Sequence, residues 1–455
     1  MAGRLTYRAF RRVQQAGDHL ERRLTPAGRA LAVAAIGAGA FAINPRQTLA
    51  FQALTLFVAL LAMAFAGSLR RAPRLAAARR TPAHATAGVP CTVRLDVRND
   101  GPRTEVDLLL HDSLDPTPPT AEEFARTAEP ALPRRNWFDR KVGYPRWLDA
   151  MRTRRGGDTV PVGIARLAPG ESVEIAVPLA PVRRGYLHFD RIWVMRPDPL
   201  GLVNSVHALP LPQPLLVLPR LHPVRLPRAA GPRRYQPGGE RTAISVGDSQ
   251  EFAGLRDYRP GDSPRHIHWR GWARTGLPVV KEFHDEYFDR SAVILDTCTA
   301  DGGDRLEAAV SIAASFVAGQ WGPDRLLDLL LMARGPAQFT AGRGLSGSAR
   351  LLEVLACAAA SPPEAFADLA RAVEHHLTRI GLAICVLLDW DEPRRALVST
   401  LCAHRVPVLV LVAGAEAALD PGPLAFAPQR LVPVPVDGIA AALAQVQARL
   451  SAGAG

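Results

Sequence analysis

The chain has 455 residues, 48% of them hydrophobic and 22% charged, which excludes a disordered or collagen-like protein and leaves room for about three domains. Its net charge is +12, but residues 1–80 hold 13 arginines against Asp18 and Glu21, a net of +11, so the rest of the chain carries only about +1. A nucleic-acid-binding protein, which would place basic patches on its folded surface, is therefore a poor reading, and the charge needs an N-terminal explanation.

That explanation is a membrane. Residues 49–69, LAFQALTLFVALLAMAFAGSL, form an apolar run interrupted notably by Gln52 and Ser68. At ~1.5 Å per residue the run reaches the ~30 Å of a hydrocarbon core. The preceding run, residues 30–43, is short and becomes adequate if Leu24–Arg29 is included, with Arg29 snorkelling to the headgroups. Only NPRQT separates the two. The prediction is a transmembrane helical hairpin over about 25–43 and 49–69, in an N-terminal region 1–80. Arginines cluster before residue 30 and over 70–80 while Arg46 sits in the connection, so the positive-inside rule puts the remaining domains on the cytoplasmic face of the inner membrane. A second apolar run directly after the first argues against a cleaved signal peptide. Cys91, Cys298, Cys357, Cys385 and Cys402 are odd in number and widely spaced, which fits reduced thiols better than disulfides or zinc ligation.

Over 81–222 the texture is that of short strands. TVRLDVRND, TEVDLLLHDS, ESVEIAVPLAPV and LHFDRIWVMR alternate apolar and polar residues, and the Pro-rich stretch 210–227 bounds them, predicting an antiparallel β-sandwich. Residues 113–160, with Trp137 and Trp147, lack clean periodicity and read as an inserted loop with a short helix. From 291 to 455, apolar strands (SAVILDT, RLLDLLLMA, GLAICVLLD, VPVLVLVA) alternate with helical patterns, predicting an α/β domain around a parallel sheet. Ligand sites of such sheets lie at the carboxyl ends of strands, where Asp296 and Asp389 stand.

Between these regions, in a module over 223–290, lies GLRDYRPGDSPRHIHWRGWAR, residues 254–274. Two readings compete. As a metal or catalytic centre it offers Asp257, Asp262, His266 and His268, but a third metal ligand is missing from any recognised motif, with Asp262 and His284 the nearest candidates. As a structural and docking module, Pro260 and Gly261 make a turn, Asp262 accepts backbone amides, and Arg256, Arg265 and Arg274 fork onto Asp257, Asp262 or Glu251. Trp269 and Trp272 then supply flat apolar faces, with Trp269 expected to bury a large one. The second reading is preferred, because charged clusters are more often structural networks than active sites.

The same residues carry a resemblance. Gly254, Arg256, Tyr258, Gly261, Asp262, Arg265, Ile267, His268, Trp269, Ala273 and Arg274 resemble the hallmark of the domain of unknown function 58 family, as does RRGYLHFDRIWVMRPDPLGL, with Arg184, Gly185 and the Asp198–Leu202 turn. The likeness covers nearly the whole chain, although the loop 113–160 is longer than is usual in that family. It implies a membrane-anchored cytoplasmic protein whose C-terminal domain is von Willebrand factor A-like, linked with MoxR-type AAA+ ATPases and without an established catalytic activity. The resemblance also implies a Mg²⁺ site of the D-x-S-x-S kind, and the matching positions here are Asp296, Cys298 and Ala300. Both hydroxyl ligands are lost, and Thr297 and Thr299 stand at the wrong offsets, so metal binding through Asp296, Asp389 and Asp391 is not expected. The resulting expectation is a non-catalytic, cofactor-free adaptor that binds the lipid bilayer and a protein partner, not nucleic acid. The alternative is a metal-dependent binding protein or hydrolase using Asp296 and the hallmark histidines.

Overall fold

The computed structural model describes residues 2–42, 48–69, 72–114, 118–120, 124, 144–224, 252–259, 264, 267–283, 289–300, 302–319, 325–341, 345–416 and 419–452. The chain divides into two units, Met1–Leu221 with Leu352–Cys357, and His222–Leu351 with Ala358–Gly455.

The first unit opens with helix α1 (Ala2–Arg23), which apolar periodicity in so basic a segment did not announce. Tyr7, Phe10 and Gln14 share one of its faces at helical spacing. They pack on Phe124 and on α4 (Tyr144–Arg155), the short helix expected within 113–160. The Tyr7 and Trp147 rings meet edge-on at 5.4 Å, and the indole N–H of Trp147 donates to Gln14 Oε1 at 2.6 Å. Trp137 lies outside the described residues.

Helices α2 (Pro26–Ala42) and α3 (Thr48–Ser68) pack against one another. Among the described residues only Leu49–Ser68 is long and apolar enough to cross a membrane; the apolar part of α2, Pro26–Phe41, is shorter. Of the two expected spans, α3 has the full length among the described residues, and what limits α2 at its start is local. Residues 24 and 25, which the longer span needed, are tied to a β-hairpin: Leu24 bridges Val203, the Thr25 N–H donates to the Leu202 carbonyl, and the Thr25 hydroxyl donates to the Gly201 carbonyl at 2.6 Å.

That hairpin joins β8 (Gly185–Pro197) to β9 (Asn204–Leu218) through the Asp198–Leu202 turn. Asp198 organises the turn: Oδ1 accepts the N–H groups of Leu202 and Val203, and Oδ2 accepts that of Leu200. Burial alone would raise the carboxyl pKa, but these amides outweigh it and hold it below its ordinary value. Gly28 completes the joint, since a Cβ there would overlap the Leu202 carbonyl.

The remaining strands of this unit are β1 (Leu75–Arg80), β2 (Ala85–Thr86), β3 (Cys91–Asn99), β4 (Glu105–Leu114), β5 (Gly157–Thr159), β6 (Val162–Leu167) and β7 (Ser172–Pro181). They form two sheets, ordered β1-β3-β7-β5 and β2-β9-β8-β4-β6, antiparallel except for β2 with β9. Leu95, Val97 and Val177 from the first pack with Leu108, Leu110, Ile192 and Val194 from the second. Two boundaries differ from expectation. The basic stretch 70–80 contributes strand β1, because Arg79 turns inward to a buried carboxylate, Asp112. The Pro-rich stretch begins inside β9: Pro210, Pro212 and Pro214 are tolerated where β9 pairs only with β8, β2 joining it at Val217 and Leu218.

The second unit contains an antiparallel pair, β10 (Phe252–Asp257) and β11 (Val279–Phe283), with the short helix α5 (Trp269–Thr275) between them in sequence. It also holds β12 (Asp289–Leu295), α6 (Asp304–Ala318), β13 (Arg325–Met332), β14 (Pro336–Ala341) and the first half of α7 (Leu345–Ala356), whose residues from Leu352 belong to the first unit. Then follow α8 (Phe366–His376), β15 (Leu382–Leu387), α9 (Glu392–Ala403), β16 (Val408–Ala413), β17 (Leu431–Val434) and α10 (Ile439–Ala452). The six strands are ordered β14-β13-β12-β15-β16-β17, parallel except for β14 at one edge. Every residue of β15 and β16 is buried, as a sheet covered on both faces requires. The four apolar strands legible in sequence are its centre. The flanking β14 and β17, and helix α8, were not singled out, since short strands with Thr, Gln or Pro carry little apolar signal.

Candidate functional site

In this order the chain leaves β12 for β13 on one side and returns as β15 on the other, so the strand order reverses beside the carboxyl end of β12. Open α/β sheets place their ligand crevices there. Asp296 directly follows β12 and is completely buried. Its Oδ1 accepts the Cys298 N–H at 2.9 Å, and its Oδ2 accepts the Leu388 N–H at 3.2 Å and Arg394 Nε–H at 3.0 Å.

Arg394, in the first turn of α9, is the feature the sequence reading missed. Its Nη1 donates to Asp391 Oδ2 at 2.6 Å and its Nη2 to the Cys298 carbonyl at 3.1 Å, while the guanidinium lies 4.4 Å over the Phe366 ring. Asp391 is also the N-cap of α9, accepting the Arg394 N–H at 3.2 Å. Burial would lower the Arg394 pKa, but attraction to Asp296 and Asp391 overrides it and raises the value. A permanent internal cation thus stands against the carboxylate that a divalent ion would require. The available signal was an arginine in the first turn of the helix following an apolar strand that ends in Asp389 and Asp391.

The other candidates are dispersed. Asp389 pairs with Arg305 at 2.7 Å, both about half exposed, and Arg305 also donates to the Leu388 carbonyl. Thr297 is buried and donates to the Met332 carbonyl at 3.2 Å. Burial first, then repulsion from Asp296, pushes the Cys298 thiol up to about 12, so at neutral pH it is a protonated thiol. Among the described residues no three His, Cys, Asp or Glu side chains group as a metal site would require. In the native protein at pH 8, iodoacetamide is expected to alkylate the exposed Cys357 and to leave the buried Cys298 and Cys385 untouched until denaturant is added; peptide mass mapping reads the order.

Of the hallmark residues, Gly261, Asp262, Arg265 and His266 lie outside the described residues, with Glu251 and His284. Arg256 on β10 donates to the Asp257 carbonyl at 3.2 Å. The Tyr258 N–H donates to the Pro278 carbonyl at 2.9 Å. His268 is the N-cap of α5: its Nδ1 accepts the Gly271 N–H at 3.0 Å, and its own N–H donates to the Val279 carbonyl at 2.8 Å. Gly271 makes the cap possible, because a Cβ would fall 2.6 Å from that Nδ1. Arg274 is exposed in the last turn, where a cation suits the helix dipole, and Gly276 ends the helix at φ 72°. The expected buried face of Trp269 is corrected: it is 63% exposed, stacked on Trp272 with ring centroids 5.4 Å apart and planes 18° apart. A short helix seated by His268 has too little packing surface to bury two consecutive-turn indoles, so they cover each other.

This hallmark and the reversal point fall within one stretch of known likeness. Residues 254–424 match the family described as Protein of unknown function DUF58. An uncharacterized protein YeaD of Bacillus subtilis (strain 168) is 28% identical over 147 residues, 32% of this chain and 36% of that relative, so the likeness spans about a third of its length. Two solved structures are similar at low scores. Proximal thread matrix protein 1 from the mussel byssus has 12% identity and a TM-score of 0.28, covering 35% of this chain and 45% of its own. Trypsin-activated alpha-2-macroglobulin from Escherichia coli has 11% identity and a TM-score of 0.19, covering 79% and 18%. The DUF58-matched stretch holds the hallmark residues from Gly254 to Arg274 together with Asp296, Asp389, Asp391 and Arg394, whereas Arg184, Gly185 and the Asp198–Leu202 turn lie outside it.

Proposed function

We propose that this protein is a non-catalytic scaffold anchored at the cytoplasmic face of the inner membrane. In this reading its C-terminal sheet is a von Willebrand A-like domain with Arg394 in the metal's place, and its N-terminal sheets form a β-sandwich. The observation that carries the reading is the Asp296–Arg394 pair: the residue best placed for chemistry is buried and neutralised from within. The apolar surface of α2 and α3, with Val33, Ile36, Phe41, Phe51, Met63 and Phe65 all exposed, favours a bilayer around them. The stacked Trp269–Trp272 pair is the kind of large, rigid aromatic surface that anchors protein interfaces. The partner is a MoxR-type AAA+ ATPase, as the family resemblance implies.

The test is binding of a purified MoxR-type ATPase to the full chain in detergent. Trp269→Ala with Trp272→Ala should weaken binding at least tenfold, which is about 1.4 kcal/mol, while the melting temperature stays put because the rings are exposed. Unchanged binding would sink the docking role. Turnover of a phosphoester or peptide, lost in a folded His268→Ala variant, would make the protein an enzyme instead.

A further inference from the structure

A cleft of about 870 Å³ lies within the first unit, between the α1–α2 joint and the outer face of β4 and β6. Its volume is that of a small-molecule site. Its lining combines both charge signs with apolar surface. Arg22, Arg29 and Arg155 supply cations; Asp18, Glu21, Asp107 and Asp158 supply anions; Leu24, Leu109 and Ile164 are among the apolar groups. The opposite charges form loose ion pairs, Asp158 facing Arg152 at 3.7 Å as well as Arg155. Arg29 and Glu21 stand 3.8 Å apart and Arg155 and Asp158 3.6 Å, beyond direct hydrogen-bond distance. Burial, then Arg22 and Arg155, hold the His111 pKa below its ordinary value, so the imidazole facing the cleft is neutral at pH 7.

A second observation singles out the β4 wall. Asp107 has a left-handed φ of 52°, and the ladder with β6 lacks a pair at this residue, between Val106↔Arg166 and Leu108↔Ile164. Aspartate is among the few non-glycine residues that adopt this conformation readily, and Asp107 stands in the cleft lining at that point. The position of the cleft supplies the ligand class. Thr25, Pro26 and Arg29, at the start of α2, line it, so on the membrane-anchored reading it sits at headgroup level beside exposed apolar helix surface.

We propose that the cleft binds the headgroup of phosphatidylethanolamine, with the phosphate against Arg22, Arg29 and Arg155 and the primary ammonium against Asp18, Asp107 and Asp158. A purely anionic headgroup would draw the arginines away from the carboxylates now paired with them and supply no cation in return. A choline headgroup has no N–H donors for them.

The proposal rests on membrane anchoring, and the experiment separates the two. The full chain, purified in detergent, is titrated with phosphatidylethanolamine, phosphatidylcholine and phosphatidylglycerol, and the rise in melting temperature gives the apparent affinity. Phosphatidylethanolamine should bind at least tenfold more tightly than the other two. Arg155→Gln and Asp107→Asn should each weaken it at least tenfold with the lipid-free melting temperature unchanged; asparagine tolerates the left-handed backbone. Asp158→Asn serves in the same way if either variant fails to fold. Equal binding by wild type and the folded variants, or phosphatidylcholine or phosphatidylglycerol binding as tightly, would overturn the proposal. Release of the chain from membranes by alkaline carbonate would refute anchoring alone. Soluble glycerophosphoethanolamine then tests the cleft by itself, with the same variants and the same readings.

Discussion

Arg394→Ala should lower the unfolding temperature of the full chain by roughly 10 °C. The substitution leaves Asp296 buried with two backbone amides but no counter-charge, and breaking a buried pair by removing one partner costs about 3–5 kcal/mol. For a domain of this size each kcal/mol shifts melting by about 2–4 °C. Asp391 loses its partner as well, although it is half exposed and can be solvated. Combining Arg394→Met with Asp296→Asn should recover most of the loss, because the charge is then removed with its partner. Millimolar Mg²⁺ should leave the wild-type melting temperature unchanged, whereas a ligand at 100 times its dissociation constant would stabilise by about 2.7 kcal/mol. A Mg²⁺-dependent rise abolished by Asp296→Ala, or an Arg394→Ala variant as stable as wild type, would refute the assignment of Arg394 as the resident cation.

The second large effect belongs to the N-terminal sheets. Arg79 on β1 and Asp112 on β4 are both inaccessible to solvent, joined by Nε–H to Oδ2 at 2.9 Å and Nη2–H to Oδ1 at 2.5 Å. Arg79 Nη1 also donates to the Leu211 carbonyl at 2.7 Å, and the guanidinium lies 4.3 Å over the Phe189 ring. Arg79→Ala should therefore cost about 3–5 kcal/mol, and Arg79→Met with Asp112→Leu much less than the sum of the single substitutions. The pH dependence has a defined sign. Burial pushes the Asp112 carboxyl above its ordinary value even against Arg79, and removing Arg79 leaves burial unopposed. A carboxyl whose folded pKa is raised contributes stability that is fully present below the unfolded value of about 3.9 and is lost as pH rises through the folded one. Arg79→Ala should thus be nearest to wild type around pH 4 and fall progressively behind toward pH 7. Denaturant melts at the two pH values measure it, and a deficit that grows on acidification would contradict the argument.

Local pattern was enough to read much of this chain. The apolar run that became α3, the alternation behind β3, β4, β7 and β8, and the four apolar strands of the C-terminal sheet are all encoded in residues a few positions apart. What pattern could not supply were pairings across the chain. Asp296 and Arg394 are separated by 98 positions and Arg79 and Asp112 by 33, so only folding identifies which arginine among many is the buried partner. The same holds for His268, which reads as a ligand candidate until Gly271 is seen on its Nδ1, and for Trp269, whose exposure depends on how little surface α5 offers. The cleft at the root of α2 belongs wholly to this second kind. Its walls come from α1, α2, α4, β4, β5, β6 and the β8–β9 hairpin, and its charges face one another because a turn centred on Asp198 ties Thr25 to that hairpin. Periodicity reports which face of an element is buried; long-range packing decides what that face meets, because desolvated charges must find partners wherever the fold brings them.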